Sequence, residues 1–226
     1  MLPDVSVPRV LGYGREGQSI EYTLMTRMPG VALRNASLDD AARLEVMRAL
    51  GRTLRQIHSM PQAAFAESGL FPGDKSAVDV RQRFAEWFEE FTERIRGGYL
   101  WSLPVMPEAV ADRALSALPD SDERVALHSN PWHEHTFVDP VTGKYTGLID
   151  FGDAYVSHPT FDLRRWRSRA ERDALLAGYT VDARVSDDFM QTWLVAQVLG
   201  DMAAIAGSPT LAPLAHADLE WLLRQL

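Results

Sequence analysis

Apolar side chains recur every three to four positions from Leu44 through Met47, Leu50 and Leu54 to Ile57. That period predicts a helix with one buried face, opened by a capping box of Ser37 and Asp40 and ending near His58, before Pro61. The period returns over about residues 78–96, where Val80, Phe84, Trp87, Phe88, Phe91 and Ile95 form the stripe and Gly97-Gly98 ends it. A third helix is predicted over about 107–118, with Pro107 in its first turn. The last third reads as helical over roughly 159–166, 170–176, 187–206 and 215–226. Trp87, Trp193 and Trp221 fall on apolar stripes and are read as core.

Alternation replaces this period in two places. Residues 8–14 and 20–26 read as a strand pair, stopped by Met28-Pro29-Gly30. Further on, short strands at 136–138 and 145–149 flank the turn Asp139-Pro140-Val141-Thr142-Gly143-Lys144. Residues 61–76, rich in Gly, Pro and Ala, read as a connecting loop. There is no internal repeat and no low-complexity tract. A strand pair, then helices, then a hairpin set among helices gives a helix-dominated α+β fold.

Composition narrows the function. The 226 residues are 46% hydrophobic and 24% charged, enough for a real core. With no cysteine there is no disulfide framework and no thiolate metal site. The N-terminus lacks a basic region followed by an apolar run, so a secretory signal is not read there and a cytoplasmic protein is expected. The most apolar helix, near Trp193 to Ala206, is interrupted by Gln197 and Asp201 and reads as too short for a membrane span. A net charge of −8 argues against nucleic-acid binding by a basic surface and tolerates a cationic small substrate.

Chemistry concentrates between His128 and Asp153. Polar side chains precede the first hairpin strand, and Asp150-Phe151-Gly152-Asp153 follows the second, an arrangement suited to positioning a metal-bound phosphate. Three segments then carry a resemblance: Leu24-Met25-Thr26-Arg27-Met28-Pro29-Gly30; His128-x-Asn130-x4-His135; and Ile149-Asp150-Phe151-Gly152-Asp153 with His158-Pro159-Thr160-Phe161-Asp162-Leu163. In order and spacing they resemble, over roughly residues 8–166, the C-terminal lobe of the aminoglycoside phosphotransferase and choline kinase-like group, relatives of the protein kinases.

The resemblance implies a protein-kinase-like C-lobe at 31–226, carrying a catalytic-loop hairpin at about 125–153. Residues 1–30 would be a remnant of N-lobe strands and the hinge, with most of the N-lobe absent. It implies an ATP- and Mg2+-dependent transfer of a phosphoryl group to the hydroxyl of a small substrate. The main chain of Thr26, Arg27 and Met28 would receive the adenine. Asn130 stands where the family has the aspartate that orients and deprotonates the acceptor. His135 and Asp150 stand at the metal-binding positions, His128 shapes the loop, and Asp162 resembles a buried aspartate that braces it.

Two departures shape the expectation. An amide at 130 can orient a hydroxyl but cannot take its proton at neutral pH. No Gly-rich loop or lysine precedes the hinge, so the chain reads as N-terminally truncated and impaired, with the edge at residues 8–26 open to self-association. The alternative is a catalytically silent, pseudokinase-type binding module. Other groups have plainer readings beside sharper ones. His128, His133, Glu134 and His135 could suggest zinc, against a solvated loop and a core histidine. Glu86, Glu89, Glu90 and Glu93 could receive amino groups or form a solvated face, with Glu90 and Arg94 pairing. Arg164, Arg165, Arg167, Arg169 and Arg172 could bind phosphate or pair with surplus acids.

Overall fold

The computed structural model describes residues 6–17, 20–69, 71–164, 166 and 168–226. Strands β1 (Val10–Glu16) and β2 (Ile20–Met25) form an antiparallel pair, and a short β3 (Val31–Ala32) follows the Met28-Pro29-Gly30 turn. Helix α1 (Asp40–His58) comes next. Its N-cap is Asp39, whose side chain accepts from the Ala42 N–H at 2.8 Å, so the predicted Ser37 and Asp40 box is corrected. The local aspartate reaches the open N–H groups of the first turn, and Ser37 lies two residues too early.

The predicted loop over 61–76 contains a short helix, α2 (Ala63–Ser68). Helix α3 (Ala77–Arg96) is capped by Ser76 and buries Val80, Phe84, Phe88 and Ile95, while Glu86, Glu89, Glu90 and Glu93 are exposed. Helix α4 (Pro107–Ala117) starts on its proline. The predicted helix over 159–166 is only a 3-10 turn, Pro159–Asp162. Helix α5 (Arg169–Tyr179) opens on a capping box of Ser168 and Glu171; α6 (Asp187–Gly207) and α7 (Ala212–Gln225) complete the chain.

Two apolar cores result. Helices α3, α4, α6 and α7 enclose one around Phe84, Phe88, Leu199, Met202 and Leu219. Helices α1 and α5 enclose the other around Met47, Leu50, Leu54 and Leu175. At 21 residues α6 is long and apolar enough to cross a membrane, which corrects the expectation that it is too short. Most of it is buried inside the protein, where Gln197 and Asp201 also point.

Strands β4 (Val125–Leu127), β5 (Thr136–Val138), β6 (Tyr145–Leu148) and β7 (Tyr155–Ser157) lie between α4 and α5 in the chain order. β5 pairs antiparallel with both β3 and β6, and β4 pairs antiparallel with β7. The hairpin was foreseen; β3, β4 and β7 were not. Gly30 takes φ 90°, and a Cβ there would lie 2.2 Å from the Val138 carbonyl oxygen. Only glycine lets the chain leave the hinge this close to β5. On β1 and β2 the apolar side chains of Val10, Leu11, Tyr13, Tyr22 and Leu24 are exposed.

Candidate functional site

The loop after β4 is held from below by one buried carboxylate. Asp162 Oδ2 accepts from the His128 N–H at 2.8 Å, and Oδ1 accepts from the Ser129 N–H at 2.7 Å. His58, the last residue of α1, places Nε2 3.0 Å from Asp162 Oδ2, and its Nδ1 lies 3.0 Å from the Tyr179 hydroxyl. Burial alone would raise the Asp162 carboxyl; the His58 and His128 rings and the His128 N–H outweigh it and hold the group below its ordinary value. Sequence reading placed Asp162 as a brace but missed His58 and Tyr179, which are 104 and 17 positions away and show no local signal.

His128 is fixed by main chain on both sides. Its Nε2 lies 2.8 Å from the Ile149 carbonyl and its Nδ1 accepts from the Asn130 N–H at 3.2 Å, which sets the tautomer. Burial depresses its pKa, so the ring is neutral at pH 7. The edge of the Phe151 ring packs against it at 4.6 Å between centroids. Ser129 and Asp150 both take left-handed backbone, φ 80° and 70°. For non-glycine residues this costs on the order of 1–3 kcal/mol each and persists only where surroundings enforce it.

The hairpin brings two of the foreseen ligands together. His135 Nε2 lies 3.3 Å from Asp150 Oδ2. The other ring nitrogen, Nδ1, is 2.8 Å from the Asn130 carbonyl oxygen and so carries its proton toward that acceptor. With its proton on Nδ1 alone, the ring presents the Nε2 lone pair to a carboxylate. Two acceptors facing each other need a cation or a proton between them, and the backbone contact to Nδ1 is the kind of outer bond that orients a metal-binding imidazole. The donor set therefore fits a divalent cation. Among the described residues no group of three such side chains converges. His133 instead pairs with Glu134 at 3.1 Å, and both ring nitrogens of His128 meet main chain, so the four residues of the zinc reading do not gather.

Asp150 also lines a cleft of about 1090 Å³ with Thr26, Arg27 and Met28. Val10, Ile57, Met60, Phe65 and Phe137 give it apolar walls. Thr26 donates its N–H to the Arg9 carbonyl at 2.9 Å and its hydroxyl accepts from the Arg9 N–H at 2.8 Å, so this hinge donor is already engaged. The Pro29 carbonyl accepts from the Thr146 hydroxyl at 2.7 Å and ties the hinge to β6. Of the basic cluster, Arg165 and Arg167 lie outside the described residues. Arg164 stacks on Trp87 at 4.0 Å, Arg169 on Trp221 at 4.6 Å, and Arg172 is buried between Asp201 and Asp218. Glu90 pairs with Arg94 as foreseen, at 3.3 Å.

A loop braced by a buried aspartate, a hairpin ending in a carboxylate, and a hinge-walled cleft define a kinase-like phosphotransferase fold. A model of the phosphotransferase enzyme family, APH, matches residues 2–205, and the chain belongs to that family. Solved structures share the fold. Macrolide 2'-phosphotransferase MphH from Brachybacterium faecium is 24% identical, with 96% of this chain and 73% of that one covered and a TM-score of 0.53. A type I macrolide 2'-phosphotransferase is 16% identical, covering 94% and 72%, at 0.57. The GDP and kanamycin complex of APH(2")-IIia is 14% identical, covering 98% and 77%, at 0.59.

Proposed function

We propose that this chain moves the γ-phosphoryl group of ATP to a hydroxyl of a small, cationic substrate. One juxtaposition supports the reading above all. His135 and Asp150 face each other at 3.3 Å, and Asp150 shares its cleft with the hinge residues Arg27 and Met28. The adenine would bond to the main chain of Arg27 and Met28 and lie between Ile57, Met60 and Ile149. Residues 6–30 act as the hinge side of the cleft and residues 31–226 as the side that carries the loop and the acceptor. The GDP and kanamycin bound in APH(2")-IIia make a nucleotide and an amino sugar reasonable ligands to try first.

Magnesium held by Asp150 and His135 would neutralise charge on the nucleotide phosphates. The chain's own residues do the rest by positioning. Asn130 accepts a hydrogen bond from the acceptor hydroxyl and points its oxygen at the γ-phosphorus. His128 and Asp162 keep the loop in place. A bond forms between the acceptor oxygen and the γ-phosphorus, the bond from γ-phosphorus to the bridging oxygen breaks, and ADP leaves with that electron pair. The hydroxyl proton passes to a phosphate oxygen or to water, because an amide does not take it. Positioning and charge neutralisation supply most of the rate in such transfers.

Asn130 is also the observation that favours a second reading, a silent binding module. Calorimetry of the full chain with MgATP, followed by turnover with hydroxylated amines and macrolides, separates the two. Micromolar binding with turnover supports the enzyme, and binding without turnover by the wild type and by Asn130→Asp supports the module. No MgATP binding at all defeats the enzyme and favours the module.

A further inference from the structure

Strand β2 has an open side. β1 and β2 form a two-stranded sheet, and among the described residues no third strand joins it. Residues 21–27 are exposed without interruption, Leu24 at 60% and Met25 at 51% among them. The Thr26 N–H turns inward to the Arg9 carbonyl at 2.9 Å. Main-chain groups alternate in direction along an antiparallel strand, so those of Met25, Thr23 and Glu21 turn outward, away from β1. Such an edge is a template for another strand unless charge, proline or a bulge blunts it. β1 is blunted: its register shifts between Val10 and Gly12, which leaves Leu11 as a bulge, and Gly12 and Gly14 weaken it further. In β2, Tyr22-Thr23-Leu24-Met25-Thr26 contains no proline, glycine or charge.

The charges at either end of this run say which strand fits it. Glu21, Thr23, Met25 and Arg27 share one face by their spacing, and the last three line the hinge-walled cleft. Tyr22 and Leu24 take the other face, where the Tyr22 ring lies over Gly14. Suppose a second β2 lies antiparallel about a two-fold axis at Leu24. Leu24 then meets Leu24 of the partner subunit, Thr23 meets Met25 of the partner subunit, and Glu21 meets Arg27 of the partner subunit, twice over. Moving the axis one residue either way sets Glu21 against methionine or proline instead. Within one chain Glu21 faces Arg15 at 3.7 Å, an exposed pair that leaves the carboxylate acceptor capacity for a second guanidinium.

We propose that this protein forms a two-fold dimer by pairing β2 with β2 of a second copy, giving one four-stranded sheet with β1 at each end. The contact is isologous, so it closes at two copies, and the bulged β1 edges stop the sheet from growing. The inference stands apart from the phosphotransferase reading. It does join the two clefts, because cleft-lining Thr23 lies beside Met25 of the partner subunit. One strand pair with exposed ion pairs is a small interface, so the dimer is weak, with a Kd on the order of 10–100 µM.

Sedimentation velocity of the full chain from about 1 µM to 1 mM should pass from monomer to dimer and stop there. Over the same range, amide exchange should slow most at Thr23 and Met25, whose N–H groups gain acceptors. Glu21→Arg and Arg27→Glu each set like charges across the axis and should weaken the dimer at least about tenfold, while the two combined in one chain should restore it. Thr23→Pro removes an outward N–H and no bond to β1, so it should abolish the dimer. The charge swaps carry the test if that proline unsettles the hairpin. A monomer at every concentration overturns the proposal and leaves the edge to a strand of another origin. So does a dimer that survives Thr23→Pro and both single swaps, one that the double swap fails to restore, or growth past two copies.

Discussion

At residue 130 a single group decides whether an attacking hydroxyl can lose its proton to the protein. The amide oxygen of Asn130 orients, and a carboxylate there would also act as a base. Asn130→Asp should raise turnover by about 10²–10⁴-fold with little change in MgATP affinity, measured by ADP release with an accepted amine. An unchanged rate would mean that the loop does not address the hydroxyl. Asp162 acts through structure instead. Asp162→Ala leaves two loop N–H groups and the His58 ring unmet in the interior and should cost about 3–5 kcal/mol by urea unfolding. Its pH signature follows from the sign of the shift. The folded carboxyl sits below its ordinary value, so its contribution is complete above about pH 4 and is lost as pH falls through the folded value. Buried His158 acts over a higher window. Its folded pKa is pushed down to about 3 by burial, so the unfolded chain takes up a proton below about pH 6.5 that the folded chain refuses. Buried Asp201 opposes this, because burial holds its folded carboxyl up at about 7 and the folded chain takes up a proton there before the unfolded chain does. In Asp201→Asn, which removes that opposing group, stability should decline from about pH 6.5 downward and more steeply below about 4; a thermal midpoint flat from about pH 6.5 to 4.5 in that variant would contradict this.

Between elements, α1 and α5 approach so closely that glycines face each other's backbone. A Cβ on Gly51 would lie 2.1 Å from the Leu175 carbonyl oxygen, and one on Gly178 would lie 2.0 Å from that of Arg48. Helical backbones on both sides cannot yield, so Gly178→Ala should cost at least about 1–3 kcal/mol. The same change at Gly12, whose Cβ would meet nothing within 4 Å, should be nearly neutral in the same melting experiment. This contact also sets the site, because α1 delivers His58 and α5 delivers Tyr179 to the Asp162 brace. The helices were legible because burial on one face imposes a 3.6-residue period over many turns, as at Phe84, Phe88 and Ile95. β4 is three residues long and buried throughout, so it offers no alternation to read, and β3 has only two residues. In the site, His128, His135 and Asp150 were legible from motif spacing. Elsewhere in the fold the Asp201 and Arg172 pair was not, since an aspartate on an apolar helix and an arginine in a basic run gain meaning only when folding joins them across 29 positions.

For the whole molecule, the hinge-walled cleft and the His135 and Asp150 pair must work as one nucleotide site if the chain is a phosphotransferase. Anything that binds only the folded state stabilises it by mass action, about 2.7 kcal/mol when the ligand is at 100 times its Kd. For a chain of this length each kcal/mol raises the melting midpoint by about 2–4 °C, so saturating MgATP should raise it by roughly 5–10 °C. The nucleobase is held by the cleft and the phosphates by the metal. ATP with chelator should therefore give a smaller shift than MgATP, and Asp150→Asn should erase that difference while keeping the chelator-insensitive part. Substituting Met60, which lines the apolar wall, with a charged residue should do the reverse: the whole shift falls, with and without magnesium. GTP in place of ATP tests whether the open hinge groups of Arg27 and Met28 choose between the bases. An equal shift in wild type and Asp150→Asn at every magnesium concentration would show that the hairpin carboxylate has no part in holding nucleotide, and the 3.3 Å approach of His135 would then be an ordinary ion pair.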